Sequence, residues 1–182
     1  MRKRILAFGA STSKASINKQ FATYAAGQLH EFDATVIDLN DYPMPLFSVD
    51  LEKSHGAPET AFLLKALIMA QDGLIISFAE HNGAYTAAFK NTLDWLSRLE
   101  GKAWAGKPAL LLSTSPGARG GASVLRIAKD RFPYNGGEVI ATFSLPQFRI
   151  NFDPETGIKN TDLADAFEQA LDTFRKKLLS DA

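Results

Sequence analysis

Apolar residues along the chain fall into two kinds of stretch, and the two kinds alternate. Short runs that are almost continuously apolar are typical of strands covered on both faces. These runs lie at residues 5–8, 34–39, 73–79, 106–115 and 139–145. Each run leads into a polar segment, so the pattern predicts five strands that end in loops.

Between the runs, apolar residues recur at spacings of three and four, the period of a helix with one buried face. A further helix is predicted within the segment "PGARGGASVLRIAKDRF", residues 116–132. Residues 40–58 contain three prolines and no sustained period, so they are predicted to form a loop, as is the segment around Pro146 and Pro154. The predicted buried stripes are Ile17, Phe21, Tyr24, Ala25 and Leu29; Leu63, Leu64, Leu67, Ile68 and Ala70; Tyr85, Phe89, Leu93 and Leu96; and Leu163, Phe167, Ala170, Leu171, Phe174 and Leu178.

Strands that alternate with helices indicate a parallel sheet with helices on both faces. The predicted fold class is therefore α/β, a doubly wound five-stranded parallel sheet in a single domain over residues 1–182. Five strands in this length favour the flavodoxin-like three-layer sandwich, with strand order 2-1-3-4-5, over a full Rossmann dinucleotide domain.

Composition excludes several classes of protein. The 182 residues include 20 basic and 20 acidic ones, whereas a nucleic-acid-binding protein needs a basic surplus to meet phosphates. The chain has no cysteine, which rules out disulfides and thiolate chemistry. The three histidines show no spacing that suggests a metal site, and none is predicted.

No apolar run approaches the roughly 18 residues of a membrane span. The apolar stretch at residues 5–10 is also too short for the core of a secretory leader. We therefore expect a soluble, cytoplasmic protein that does not associate with membranes.

Three polar segments follow the first, third and fourth predicted strands: "GASTSKASIN", "AEHNGAY" and "STSPGARGG". In a doubly wound sheet, ligands bind outside the carboxyl ends of the strands, at the point where the strand order reverses. The three segments are therefore predicted to meet in space and to form one binding site.

The first segment is dense in hydroxyls and precedes a helix, whose first amides lack intrahelical acceptors. The hydroxyls of Ser11, Thr12, Ser13 and Ser16 are thus candidates to bind a terminal phosphate. The alternative is that Ser16 only caps the helix and the rest is a polar turn. The segment matches neither GxxxxGK[ST] nor GxGxxG, which favours a mononucleotide such as FMN.

The other two segments supply further candidates. Glu80, His81, Asn82 and Gly83 interrupt the chain after the third strand, and Gly117 and Gly120 allow close approach of the backbone to a flat ligand. The alternatives are a surface histidine and a routine turn from strand to helix.

These segments resemble the motifs of a known family, the NADPH-dependent FMN reductases, a flavodoxin-like group of flavin, azo-dye, quinone and chromate reductases. The family's GSLRxxSxN loop corresponds to "ASTSKASIN", and its PEYN and KNxxDW motifs correspond to "AEHN" and "KNTLDW". Its SxSPGxxGG and MPQ motifs correspond to "STSPGARGG" and "LPQF". The resemblance extends over residues 5–152. It departs at Ala10, Ser13, Ala79 and His81, where the family has glycine, arginine, proline and tyrosine.

The resemblance implies FMN as the cofactor and NADPH or NADH as the electron donor. Because the cofactor carries the chemistry, no catalytic side chain is expected. Asn91, Asp94 and Trp95 would support helix packing. The residues that would bind FMN are Ser11, Ser13, Ser16, Ile17 and Asn18 at the phosphate, and Ala79, Glu80, His81, Asn82, Gly83, Ser115, Pro116, Gly117 and Gly120 around the ring and ribityl chain.

Two functions fit these residues. The first is an FMN-dependent NAD(P)H oxidoreductase that passes electrons to a small acceptor such as a quinone, an azo compound or free flavin. The second is an FMN-binding electron carrier or redox sensor that does not itself oxidise NAD(P)H; the balanced charge disfavours it, because carriers usually steer partners with a field of one sign. The resemblance also implies a homodimer or homotetramer.

Overall fold

Five parallel strands form the centre of this computed structural model, which describes residues 2–180. They lie in the order β2-β1-β3-β4-β5, and every neighbouring pair is parallel. The predicted order is therefore confirmed, and it reverses between β1 and β3. The strands are β1 (Arg4–Ala10), β2 (Asp33–Ile37), β3 (Gly73–Phe78), β4 (Pro108–Thr114) and β5 (Glu138–Leu145).

Seven α-helices connect and cover these strands. They are α1 (Ile17–Gly27), α2 (Val49–His55), α3 (Glu59–Met69), α4 (Ala87–Leu96), α5 (Ala122–Arg131), α6 (Phe148–Asn151) and α7 (Thr161–Ser180). Two short antiparallel ribbons pair Glu80–His81 with Ala84–Tyr85, and Phe152–Asp153 with Gly157–Ile158. Within residues 2–180, no helix is both long and apolar enough to cross a membrane.

The three central strands, β1, β3 and β4, are buried on both faces, which explains why they are almost continuously apolar, whereas the edge strand β2 is mostly exposed. Alternate residues of β1 point to opposite sides, so Leu6 and Ile5 belong to different hydrophobic clusters. The Leu6 cluster includes residues of α3, α4 and α5, and the Ile5 cluster includes residues of α1 and α7. The three-layer α/β sandwich predicted from the sequence is thus confirmed.

The predicted loop over residues 40–58 is wrong in part, because it contains α2. This helix has no buried residue, so it leaves no apolar period in the sequence. Its signals are at its ends: the Ser48 side chain accepts a hydrogen bond from the Leu51 amide, and Gly56 follows the helix with a positive φ. The loop predicted after β5 is also partly ordered, as α6 and the second ribbon.

The predicted stripe of α3 is wrong in part: Leu64 and Ile68 are buried and Leu67 is half-buried against the core, but Leu63 and Ala70 are not buried. The buried residues are Ala61, Leu64, Lys65 and Ile68, whereas Leu63 is 55% exposed and Ala70 is exposed. Phe62, Ala66 and Met69 are exposed as well, so α3 is apolar on its outer side too. A helix that is apolar all round does not show by its period which face is buried.

Gly9 lets α1 lie directly against β1. A Cβ atom at this position would lie 2.7 Å from Lys19 Cα and 2.9 Å from the carbonyl carbon of Asn18. Both neighbours are backbone atoms and cannot swing aside, so a larger residue would displace the start of the helix. The glycine therefore sets how closely the first turn of α1 approaches the carboxyl end of β1.

The side chain of Asn18 fastens that first turn to two other strands. Its Nδ2 donates to the Thr114 carbonyl (3.1 Å), and its Oδ1 accepts from the Thr114 amide (3.0 Å) and from Ser77 Oγ (2.7 Å). Asn18 is 2% exposed and Ser77 is fully buried. The side chain predicted to bind a phosphate thus holds α1 against β3 and β4.

Replacing this side chain tests its structural role. Asn18→Ala leaves three buried polar groups without their partner, and each such group costs about 1–3 kcal/mol. We expect the free energy of unfolding, measured by urea denaturation, to fall by about 2–5 kcal/mol. The matched control is Asn40→Ala on the surface, which we expect to change it by no more than about 0.5 kcal/mol. Equal effects of the two variants would contradict this role.

Candidate functional site

A pocket of about 200 Å³ lies where the loops after β1, β3 and β4 meet. The sequence predicted this convergence from the composition of the three loops. Of the predicted residues, Ser11, Ser13, Ser16, Ile17, Asn18, Ala79, Glu80, His81, Ser115 and Pro116 line the pocket. Asn82, Gly83, Gly117 and Gly120 do not line it, whereas Ala15 and Thr114, which were not predicted, do.

Hydroxyls of the first loop shape its backbone. Ser11 Oγ accepts a hydrogen bond from the Ser13 amide, and Ser16 Oγ accepts one from the Lys19 amide, both at 3.1 Å. Ser16 is therefore the N-cap of α1, as the alternative interpretation of the sequence held. A hydroxyl that accepts one bond still has its own proton to donate, so capping does not remove Ser16 from a ligand site.

Backbone amides at the start of α1 remain for a ligand. The amides of Ile17, Asn18 and Lys19, in the first turn of α1, have no acceptor within the helix. The Ser16 hydroxyl accepts a hydrogen bond from only one of them, that of Lys19. Among residues 2–180, no acceptor is found for the amides of Ile17 and Asn18. Both residues line the pocket. Two free donors at the positive end of a helix fit a phosphate group.

The loop after β3 is a tight ribbon that presents His81 to solvent. Asn82 and Gly83 both have positive φ (52° and 76°), as in the two-residue turns that join short antiparallel strands. This geometry holds the two turn residues at the tip of the ribbon and away from the pocket. His81, directly before the turn, lines the pocket and is exposed.

Glu80 joins this ribbon to the following loop. Its Oε2 accepts a hydrogen bond from the Val124 amide (3.0 Å), in the first turn of α5. The N-cap of α5 is Gly121, which has no side chain to cap the helix, so the Glu80 carboxylate takes that role. Arg119 Nη2 lies 3.9 Å from the other carboxylate oxygen. The negative charge of Glu80 is therefore offset within the protein.

The loop after β4 packs closely on the end of β5. Gly120 has φ 56°, and a Cβ there would lie 2.8 Å from the Leu145 carbonyl carbon and the Pro146 nitrogen. This contact explains why Gly120 faces β5 and not the pocket. The amides of Gln147 and Phe148 donate to the carbonyls of Gly117 and Ser115, each at 3.0 Å, and fix the rest of the loop.

The ribbon after β3 also carries a half-buried tyrosine. Tyr85 packs against Phe78 and Phe89, and burial raises its pKa to about 12, so its phenol stays protonated at neutral pH. In the described part of the chain, no three His, Asp or Glu side chains group closely enough to hold a metal ion.

Asn91 and Trp95 serve in the packing of α4, as predicted. Asn91 Oδ1 accepts from the Phe47 amide (2.8 Å), and Trp95 Nε1 donates to the Pro45 carbonyl (2.7 Å). Asp94 forms an ion pair with Lys90 on the same helix. These contacts hold the segment before α2 against α4.

Comparison with proteins of known sequence gives partial matches to named reductases. The chain is 39% identical to the quinone reductase of Escherichia coli (strain K12) over 79 residues, which are 43% of this chain and 42% of that protein. It is 36% identical to a 2-hydroxy-1,4-benzoquinone reductase of Burkholderia sp over 122 residues, covering 66% of this chain and 64% of that protein. It is 35% identical to an NADPH azoreductase of Bacillus sp. (strain OY1-2) over 104 residues, covering 57% of this chain and 54% of that protein. The matches thus span about half the length of these relatives.

Solved structures match over nearly the whole chain. The flavoenzyme NAD(P)H:(acceptor) oxidoreductase FerB from Paracoccus denitrificans superposes with a TM-score of 0.76 at 24% identity, covering 98% of both chains. The apo form of the NADH:FMN oxidoreductase EMOB gives a TM-score of 0.71 at 22% identity, covering 96% of this chain and 89% of that one. At these identities the likeness establishes the fold.

The family expected from the sequence motifs is matched directly. The sequence profile of the NADPH-dependent FMN reductases matches residues 3–149, which include all three loops of the pocket. The order of the strands and the convergence of the motif-bearing loops agree with this match. The chain therefore belongs to the NADPH-dependent FMN reductase family.

Proposed function

We propose that this chain is one FMN-binding domain that oxidises NADPH or NADH and passes the electrons through FMN to a small acceptor, such as a quinone, an azo compound or free flavin. The observation that carries the proposal is the pocket between the three loops, with two helix amides free to bind a phosphate. Membership of the family and the names of the similar reductases support it.

The first loop would hold the phosphate of FMN. Ile17 and Asn18, whose amides have no acceptor among the described residues, line this part of the pocket together with Ser11, Ser13 and Ser16, and these amides and hydroxyls would be the donors. Charge-assisted hydrogen bonds of this kind contribute about 1.5–3 kcal/mol each. The phosphate would thus be bound mainly by backbone and hydroxyl groups.

The other loops would line the ring. Ala79, His81, Ser115 and Pro116 border the pocket on that side, and the carboxylate of Glu80 is already bonded to α5. When bound, FMN accepts a hydride from the nicotinamide and delivers electrons to the acceptor. The residues of this chain would bind and orient the reactants.

We also propose that the chain forms a homodimer or homotetramer. The pocket, at about 200 Å³, is smaller than the roughly 300–1,000 Å³ typical of ligand sites, so part of the cofactor would extend beyond it. The outer side of α3 exposes Phe62, Leu63 and Met69 at 55%, 55% and 56%. An apolar helix face of this kind is typical of an interaction surface.

Light scattering tests the oligomer. We expect a solution mass of two or four chains, and Met69→Lys should shift it towards the monomer because it places a charge within the apolar face. Leu179→Lys on α7, at a leucine that is 53% exposed, is the matched control and should leave the mass unchanged. A wild-type protein of monomer mass would contradict the proposal.

Anaerobic mixing with NADPH tests the reaction. The FMN-loaded protein should lose its visible flavin absorbance within the time of a single turnover, and free FMN at the same concentration should not. Subsequent addition of a quinone should restore the absorbance. A protein that binds FMN but is not bleached by NADPH or NADH would instead be an electron carrier, and the enzymatic proposal would be rejected.

Proline at position 17 tests the phosphate site. Ile17→Pro removes one free amide at the first helical position, where proline is well tolerated, and Ser16 already has the extended backbone that precedes proline. Loss of one charge-assisted bond should weaken FMN binding about 10- to 100-fold in a fluorescence titration. Ile17→Ala, which keeps the amide and loses the side chain, is the matched control. If both variants bind FMN equally, the amide of Ile17 does not bind the phosphate.

A further inference from the structure

A second cavity lies on the outer side of α1, beside the pocket between the three loops, which we call the phosphate pocket. It measures about 400 Å³, and Ser16 lines both cavities. Thr23 and Tyr24 of α1 line it together with Phe152 and Pro154 of the second ribbon. Phe152 and Pro154 lie outside the residues matched by the family profile. We call this cavity the α1 groove.

The aromatic wall of the α1 groove is held in place by packing. The rings of Tyr24 and Phe152 meet edge to face with centroids 5.2 Å apart, and Phe148 stacks on Phe152 at 4.7 Å. The backbone of the ribbon lies over Tyr24, since a Cβ at Gly157 would come within 2.7 Å of Tyr24 Cζ. The groove therefore presents a preformed apolar surface to a flat ligand.

One of the two lysines of the groove is available to a ligand. Lys19 Nζ lies 2.6 Å from Asp38 Oδ2, and this hydrogen bond is the main cause that lowers the pKa of Asp38. Lys14 is exposed and has no ion pair or hydrogen bond with any residue that the structure describes. The groove thus combines an aromatic wall with one uncommitted cation.

We propose that the α1 groove binds the adenosine half of the nicotinamide dinucleotide, with the adenine against Tyr24 and Phe152 and the pyrophosphate near Lys14. This assignment rests on the proposed function, which requires NADPH or NADH as the electron donor. A dinucleotide whose nicotinamide lies against the flavin ring must place its other half elsewhere on the surface. The groove adjoins the pocket between the three loops, since Ser16 lines both cavities. The flat adenine of the dinucleotide matches the aromatic wall, and its negative phosphates match Lys14.

An electron acceptor fits the α1 groove less well. To receive electrons, an acceptor must contact the flavin ring, on the side of Ala79 and His81. None of the residues of the loops after β3 and β4 lines the groove. The groove therefore suits the part of a ligand that does not react.

Hydrogen bonds also link the aromatic wall of the groove to a loop of the pocket. The segment that leads from β5 to Phe152 donates two backbone hydrogen bonds, from Gln147 and Phe148, to the loop containing Ser115 and Gly117. A dinucleotide in the groove would therefore contact a segment fixed to the loop beside the ring, which would help to position the nicotinamide.

Calorimetric titration of the FMN-loaded protein with ADP tests the assignment. Thr23→Trp fills the groove from an exposed helix position and should weaken ADP binding at least about tenfold. Lys14→Ala should weaken it about three- to tenfold. Lys53→Ala, which removes an exposed lysine of α2, is the matched control and should leave it unchanged. Thr23 lies outside the phosphate pocket, so Thr23→Trp should retain FMN with wild-type affinity.

The outcomes separate this assignment from the proposed function. If the wild-type protein does not bind ADP, or if Thr23→Trp binds it as tightly as the wild type, the groove assignment is overturned, even where NADPH reduces the bound FMN. If ADP binding is lost in Thr23→Trp but NADPH does not reduce the FMN, the groove binds adenine nucleotides and the proposed oxidoreductase function fails.

Discussion

Three hydrogen bonds of one buried amide, that of Asn18, hold the candidate site together. They join the first turn of α1 to the ends of β3 and β4, while Gly9 allows the same turn to approach β1. The two residues whose amides remain free in this turn line the pocket, and the turn is fixed there by these contacts. The proposed phosphate binding by backbone groups would thus depend on a side chain that does not need to touch the ligand.

The loops after β3 and β4 are also fixed by hydrogen bonds within the protein. Glu80 is bonded to the start of α5, and Gln147 and Phe148 fix the loop after β4. Polar side chains and backbone groups are therefore used to set the positions of the loops before any ligand binds. A site organised in advance spends less of its binding energy on ordering its own parts, which suits an enzyme in which the cofactor carries the chemistry.

The sequence predicted the sheet well because strands buried on both faces are continuously apolar, and it predicted which loops meet because strand order fixes their position. It did not reveal α2, which has no fully buried residue, or that Leu63 and Ala70 of α3 are exposed, because this helix carries apolar residues on its outer side too. It identified Asn18 and Glu80 as site residues but not their roles, since their partners lie 96 and 44 positions away. The α1 groove was missed because its two walls come from distant parts of the chain, and Tyr24, Phe152 and Pro154 belong to no local motif.

A crystal structure of the protein with FMN tests the central claim most directly. The account predicts that the phosphate oxygens lie within hydrogen-bonding distance of the amides of Ile17 and Asn18, with the side chain of Asn18 still bonded to Thr114 and Ser77. A phosphate bound away from these amides, or an Asn18 side chain turned out of the protein to contact it, would contradict the account.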